Sequence, residues 1–199
     1  MSDKEPSVRE RILVAAITCI ERDGLDATGI REIAREAQVN SAAINYYFQG
    51  KEKLIALALE QTLAQAFGNV LADFDQLRAK GLGIRAAFEA LLDELMMHWT
   101  AYPRIAHAHF REALVHQRYD GAVIQRVNAF LAQMAPRLAP ATPHLSELEL
   151  RLALSQLWSS MYLLAMMPRV FDPFVALDFR SDKVRRAWVK QALRGLFPS

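Results

Sequence analysis

Tyr46, Tyr47 and Lys51 sit on either side of Gly50 in the stretch VNSAAINYYFQGKEKL, and their types and spacing point to chemistry. Two phenolic hydroxyls donate hydrogen bonds. A lysine beside a glycine that opens a helix adds positive charge to a set of unpaired backbone N–H groups. Helix N-termini ordinarily favour acids, so a cation there calls for an anion from outside the helix. A phosphate satisfies the amides and the ammonium together, and tyrosines one turn earlier reach neighbouring phosphates on the same strand. A solvated lysine with its stem on the surface is the alternative, and it is the reading adopted for Lys53.

The elements that must hold these groups are helical. Ser7 with Glu10 has the pattern of a capping box, and Val8, Ile12, Ala15, Ala16, Cys19 and Ile20 recur on one face until Asp23-Gly24 stops the first helix. Cys19 reads as a small core residue, since nothing around it marks a reactive thiol. Thr28 is placed to cap a short second helix with Ile30, Ile33, Ala34 and Ala37 turned inward. Asn40 is the expected N-cap of a third helix that runs to Tyr47 or Phe48. At about 100° per residue, Ile44 and Phe48 face the first two helices with Tyr47 beside them, while Ala42 and Tyr46 lie opposite, flanked by Ala43 and Asn45. Two short helices joined by a tight turn and braced by a longer one form the plan of a helix-turn-helix DNA reader. A short, flat outer face suits close approach to base edges, though a surface helix of small residues has the same wheel.

Average charge gives no support to nucleic-acid binding. Lysine and arginine exceed aspartate and glutamate by 24 − 22 = 2, and residues 1–53 hold eight basic against nine acidic side chains. The argument therefore rests on placed residues and not on a basic patch. A hydrophobic content of 52% over 199 residues allows a real core. The first ten residues have no apolar run of the secretory kind, and the single cysteine allows no disulfide framework, so a cytoplasmic setting is expected. The longest uncharged stretch, 152–168, is interrupted by serines and reads as a buried helix, not a membrane span.

The stretch from Arg11 to Leu54, and above all IREIAREAQVNSAAINYYFQGKEKLI, resembles the N-terminal domain of the tetracycline-repressor (TetR) family of bacterial transcriptional regulators. The resemblance implies an all-α fold with a three-helix helix-turn-helix domain over 1–50. A fourth helix then joins it to a helical ligand-binding and dimerisation domain over 51–199. Carried over by position, it implies phosphate contacts from Thr28, Tyr46, Tyr47 and Lys51, with base contacts around Ser41, Ala42, Ala43 and Asn45, and Asn40 is counted with them among the DNA-binding residues. Gln38 and Gly29 depart from the pattern. Glycine is usual at the turn where Gln38 stands, and a left-handed residue other than glycine costs roughly 1–2 kcal/mol there.

Beyond residue 54 the fourth helix is expected to continue unbroken through LIALALEQTLAQAFGNVLADF as a lever between head and body. Further helices follow after Gly81-Leu82-Gly83, from about Arg104 to His116, up to APATP, from the Ser146/Glu149 capping box to Met167, and from Ser181 through Leu196. The second half of residues 146–167 is apolar on nearly every side, and Val184, Trp188, Ala192 and Leu196 give residues 181–197 a matching stripe. A four-helix homodimer interface is the economical reading. Arg185, Arg186, Lys190 and Arg194 read as a solvated face. Phe88, Leu92, Met96, Trp99, Phe110, Trp158, Met161 and Tyr162 are either packed core or the lining of an apolar pocket, and the resemblance favours a pocket for a small hydrophobic effector.

His98, His107, His109 and His116 crowd one region without metal-ligand spacing, and catalytic motifs are absent, so no metal, cofactor or enzymatic activity is expected. The sequence thus reads as a dimeric, ligand-responsive repressor of an inverted-repeat operator. A helical carrier or interaction protein with a non-functional reading head is the alternative.

Overall fold

The computed structural model describes residues 6–198; residues 1–5 and 199, at the outer ends of the two expected domains, lie outside the described residues. Among these residues the chain is all-helical, with no strand. Helix α1 (Val8–Asp23) begins at the Ser7/Glu10 capping box, in which the Ser7 amide donates to the Glu10 carboxylate at 2.8 Å. It is followed by α2 (Ile30–Glu36), α3 (Ser41–Phe48) and α4 (Lys51–Phe67). Their apolar faces close one core from Ile12, Ala16, Cys19, Ile33, Ala34, Ile44 and Phe48. That core does not stop at Gly50, because Leu54 and Ala58 of α4 are also fully buried in it. Burial raises the Cys19 thiol above its ordinary pKa, so it stays protonated and inert.

The fourth helix is not the continuous rod expected. It ends at Phe67, and α5 (Val70–Ala79) begins after Gly68-Asn69. Gly68 keeps helical angles, but Asn69 leaves them at φ −118°, ψ −1°. A Cβ on Gly68 would lie 2.5 Å from the Ala64 carbonyl oxygen, so the close approach at the bend requires glycine. By length and composition alone the stretch 51–79 is apolar enough to cross a membrane. Its residues Leu54, Ala58, Leu63, Val70 and Phe74 are instead buried in the protein's cores.

The body adds α6 (Ile84–Ala101), α7 (Pro103–His116), α8 (Ala122–Leu138), α9 (Glu147–Met166) and α10 (Asp182–Ala192). The Ser146/Glu149 capping box opens α9 as expected, with the Ser146 amide 2.7 Å from the Glu149 carboxylate. Phe88, Leu92, Met96, Phe130, Met134, Leu154, Trp158 and Met161 form the centre of the body core. Ser181 precedes α10 without a side-chain cap bond, and the helix stops at Ala192, short of Leu196. Its inward face is Arg185 and Val189, continued past its end by buried Leu193 and Leu196, so within the helix the face lies one residue round from the stripe expected and leaves Trp188 half-buried against Phe179 with ring centroids 6.0 Å apart.

Arg185 is accordingly no part of a solvated face. Only 4% exposed, it bonds to Asp182 at 2.6 Å, Asp93 at 3.3 Å and the Phe179 carbonyl at 2.9 Å. A buried guanidinium needs that many acceptors, and here it pins α10 to α6.

Candidate nucleic-acid interface and effector cavity

The turn from α2 to α3 carries Gln38 at φ +55°, in the left-handed region. The Val39 amide donates to the Ala34 carbonyl at 2.9 Å and the Gln38 amide to that of Arg35 at 3.2 Å, the paired bonds of a Schellman motif usually built on glycine. The turn therefore closes normally and bears the strain of a side chain at that position. Asn40 caps α3, its side-chain oxygen accepting from the Ala43 amide at 2.9 Å.

Ile44 and Phe48 are buried as the wheel requires, and the Arg9 guanidinium stands 5.4 Å over the Phe48 ring. Ser41, Ala42 and Asn45 are exposed and Ala43 is half-buried. Tyr46 is 81% exposed and Tyr47 41%, their rings braced edge to face at 5.0 Å. Gly50 turns the chain at φ +128°, open only to glycine, and α4 starts there without a side-chain cap. Lys53 donates to the Gln49 side chain, whereas Lys51 has no ion pair among the described residues. The first turn also holds an acid that sequence reasoning passed over: Glu52 places a carboxylate oxygen 3.6 Å from where a Gly50 Cβ would stand.

Thr28 is the exception among the expected phosphate-binding residues. It is fully buried, its hydroxyl donating to the Gly24 carbonyl at 2.7 Å, so it ties the α1–α2 connection and leaves the capping of α2 to Gly29.

A cavity of about 930 Å³ opens between head and body. Of the eight residues expected to line a pocket, Trp99, Phe110 and Tyr162 do so. Phe88, Leu92, Met96, Trp158 and Met161 are packed core, each 2% exposed or less. Sequence periodicity placed all eight on inward faces, but it cannot separate a face meeting a void from one meeting another helix. The lining that was missed comes from α1 (Val14, Ile17, Thr18, Glu21) and from the α4–α5 bend.

Among the described residues the Trp158 Nε1 and Tyr162 hydroxyl, both buried, have no partner in hydrogen-bond geometry, and burial holds the Tyr162 phenol well above its ordinary pKa. His109 meets the Thr62 hydroxyl at 2.9 Å. Thr62 spends its proton on the Leu59 carbonyl, so the His109 Nε2 is the donor. Burial pushes the imidazole down to about 4, keeping it neutral at physiological pH.

The seam beside the cavity is held by named contacts. Glu21 of α1 accepts from the Ile105 amide at 3.0 Å in the otherwise uncapped first turn of α7. Arg104 donates to the Arg22 carbonyl, Arg111 pairs with Asp26 at 3.1 Å, and Ile20 packs with Ile105 and Ala108. The head thus touches both the cavity wall and the helix beneath it.

Residues 12–58 match the family model described as bacterial regulatory proteins, tetR family. The chain is 37% identical over 75 residues to the HTH-type transcriptional regulator BetI of Vibrio atlanticus, covering 37% of this chain and 38% of that protein. It is 29% identical over 137 residues to the HTH-type transcriptional repressor NicS of Pseudomonas putida, covering 66% and 60% of the two. These alignments span less than two thirds of the relatives' own lengths. A TetR-like transcriptional regulator from Rhodococcus sp. RHA1 superposes with a TM-score of 0.68 at 18% identity, over 97% of this chain and 98% of that one. A TetR family regulator from Marinobacter aquaeolei VT8 gives 0.67 at 16% identity over 95% of both chains. At such identities the likeness establishes the fold alone.

Proposed function

The N-terminal helices of this chain belong to the tetR family of bacterial regulatory proteins, and from that premise we propose that the protein is a cytoplasmic, homodimeric repressor that releases operator DNA when a small effector fills the cavity. The observation that carries the DNA-binding half is the exposed face of α3 set against the uncapped N-terminus of α4. In this reading Asn45 pairs with an adenine, Ala42 or Ala43 touches a thymine methyl, and Ser41 bonds a base edge or phosphate. Tyr46, Tyr47, Lys51 and the first-turn amides of α4 hold phosphates, whose negative charge repels the Glu52 carboxylate from that end of the helix. Asn40 keeps its side-chain oxygen on the cap and retains its amide hydrogens for the backbone. Thr28 acts from inside, by holding α1 to α2.

Two copies of α3 read an inverted repeat only if the bodies dimerise. Leu148 and Leu152 on α9 are 66% and 53% exposed, in line with the small Ser155 and Ser159, and supply a self-complementary face beside α10. Release follows from linkage: an effector frees DNA only if it binds the off-DNA arrangement more tightly, by about 1–3 kcal/mol in typical cases. Because α1 itself walls the cavity, an occupant pushes on the head directly as well as through α4. A carrier with an inert head is not favoured, since the Gln38 turn is fully bonded and the curated relatives are named regulators and repressors.

The test is fluorescence anisotropy with the duplex upstream of the coding region. The wild type should bind in a salt-dependent way, and Lys51→Ala should lower the slope of log affinity against log salt by about one per lost contact. No shift with any upstream duplex at low salt would defeat the reading.

A further inference from the structure

The cavity's charges select among effectors, an inference that rests on the effector-responsive reading above. Its aromatic wall is continuous: Trp99 stacks on Tyr162 at 5.5 Å and 12°, Phe67 meets Trp99 at 5.6 Å, and Phe110 meets Tyr162 at 4.8 Å. Around it the lining carries three carboxylates, those of Glu21, Asp73 and Glu94. Glu21 is engaged with the first turn of α7. Asp73 has no ion pair among the described residues, and Glu94 has only His98 at 3.9 Å. Glu94 is 62% exposed while lining the cavity, which sets it at the mouth.

Among the described residues the lining offers an anionic ligand no free lysine or arginine: the one present is Arg22, whose guanidinium already holds Glu36 at 2.7 Å and Asp23 at 2.9 Å, while His98 faces the Glu94 carboxylate. His109 is neutral for the reason given above.

A hydrophobic acid entering this space would lose its hydration with no counter-charge to replace it, whereas a cation meets π-faces and carboxylates together. We propose that the cavity takes a hydrophobic organic cation, its apolar groups against Phe67, Trp99 and Tyr162 and its charge held by Asp73 and Glu94. The volume of about 930 Å³ lies within the range of cavities that enclose drug-sized molecules.

Tetraphenylphosphonium and tetraphenylborate share size and shape and differ in the sign of their charge. Titrating each into the full-length protein, by calorimetry and tryptophan fluorescence, isolates charge from hydrophobicity. The phosphonium should bind at least tenfold more tightly, and Trp99→Phe should diminish the fluorescence response. Asp73→Asn and Glu94→Gln should each weaken the phosphonium roughly three- to fivefold, as expected of partly exposed charges, and leave borate binding unchanged or stronger. Equal or tighter binding of borate, no binding of either ion, or variants that leave the ratio unaltered would overturn the proposal. Operator binding measured on the same samples separates the two readings: DNA binding with the wrong ion preference sinks only the cation, and ion binding without DNA binding sinks only the regulator.

Discussion

Replacing Glu21 by alanine tests the seam between head and body. Its carboxylate accepts the Ile105 amide at 3.0 Å, in a first turn of α7 that has no cap of its own. Losing a capping acceptor costs about 1 kcal/mol, and the favourable interaction of an anion with the helix dipole adds roughly 0.3–1 kcal/mol. Burial works the other way, and it is the largest influence on the group, raising the Glu21 carboxyl above its ordinary pKa despite the bonds from the α7 amides. Glu21→Ala should therefore destabilise by about 1 kcal/mol, lowering Tm by about 2–4 °C for a chain of this size. Glu21→Gln keeps an acceptor and sheds the partly buried charge, so it should lie within about 0.5 kcal/mol of the wild type at pH 7.

The pH dependence has a definite sign. A carboxyl whose folded pKa is raised binds its proton more tightly in the native state, so the gap between wild type and Glu21→Ala should widen as pH falls through the folded value and level off below the ordinary carboxyl pKa of the unfolded chain. Thermal melts at several pH values measure both variants, and amide exchange in the first turn of α7 should quicken in the alanine variant alone. Glutamine proving as damaging as alanine would refute the argument, because charge and not the acceptor would then hold the helix.

Gln38→Gly relieves a side chain at φ +55°, and after the greater entropy of the unfolded glycine is subtracted it should stabilise by up to about 1 kcal/mol in a denaturant melt; a loss of stability would mean the glutamine makes a compensating contact. His109 is held at a pKa of about 4 by burial against about 6.5 when unfolded, so stability should be lost as pH falls below 6.5, by about 2 kcal/mol between pH 7 and 5. His109→Gln should flatten that part of the profile. Leu152→Glu places a charge on the exposed stripe of α9 without touching the core, and sedimentation should show a folded monomer; an intact dimer would put the interface elsewhere. Trp188, packed on Phe179, is a poorer probe because its loss disturbs the fold itself.

The sequence by itself determined whatever depends on neighbours along the chain. Both capping boxes, the Asn40 cap, the inward turn of Ile44 and Phe48 and the glycine start of α4 follow from local hydrogen bonding and the helical period, and all stand in the fold. Local rules failed where burial or a competing contact decided between alternatives they left open. Thr28 gave its hydroxyl to the Gly24 carbonyl instead of capping α2, because burial demanded an internal acceptor. Arg185 found Asp93 on another helix and turned inward, rotating the face that α10 presents to the body. Gly68-Asn69, poor helix formers inside an otherwise apolar helical run, ended α4 where the periodicity on either side continued. The cavity was the least legible feature, since eight apolar residues share one periodicity whether or not they meet a void. Only the packing of α1 against α4 and α7 left Trp99, Phe110 and Tyr162 facing open space while Phe88, Trp158 and Met161 were filled in. A void is a property of how helices fail to touch, and no single helix encodes it.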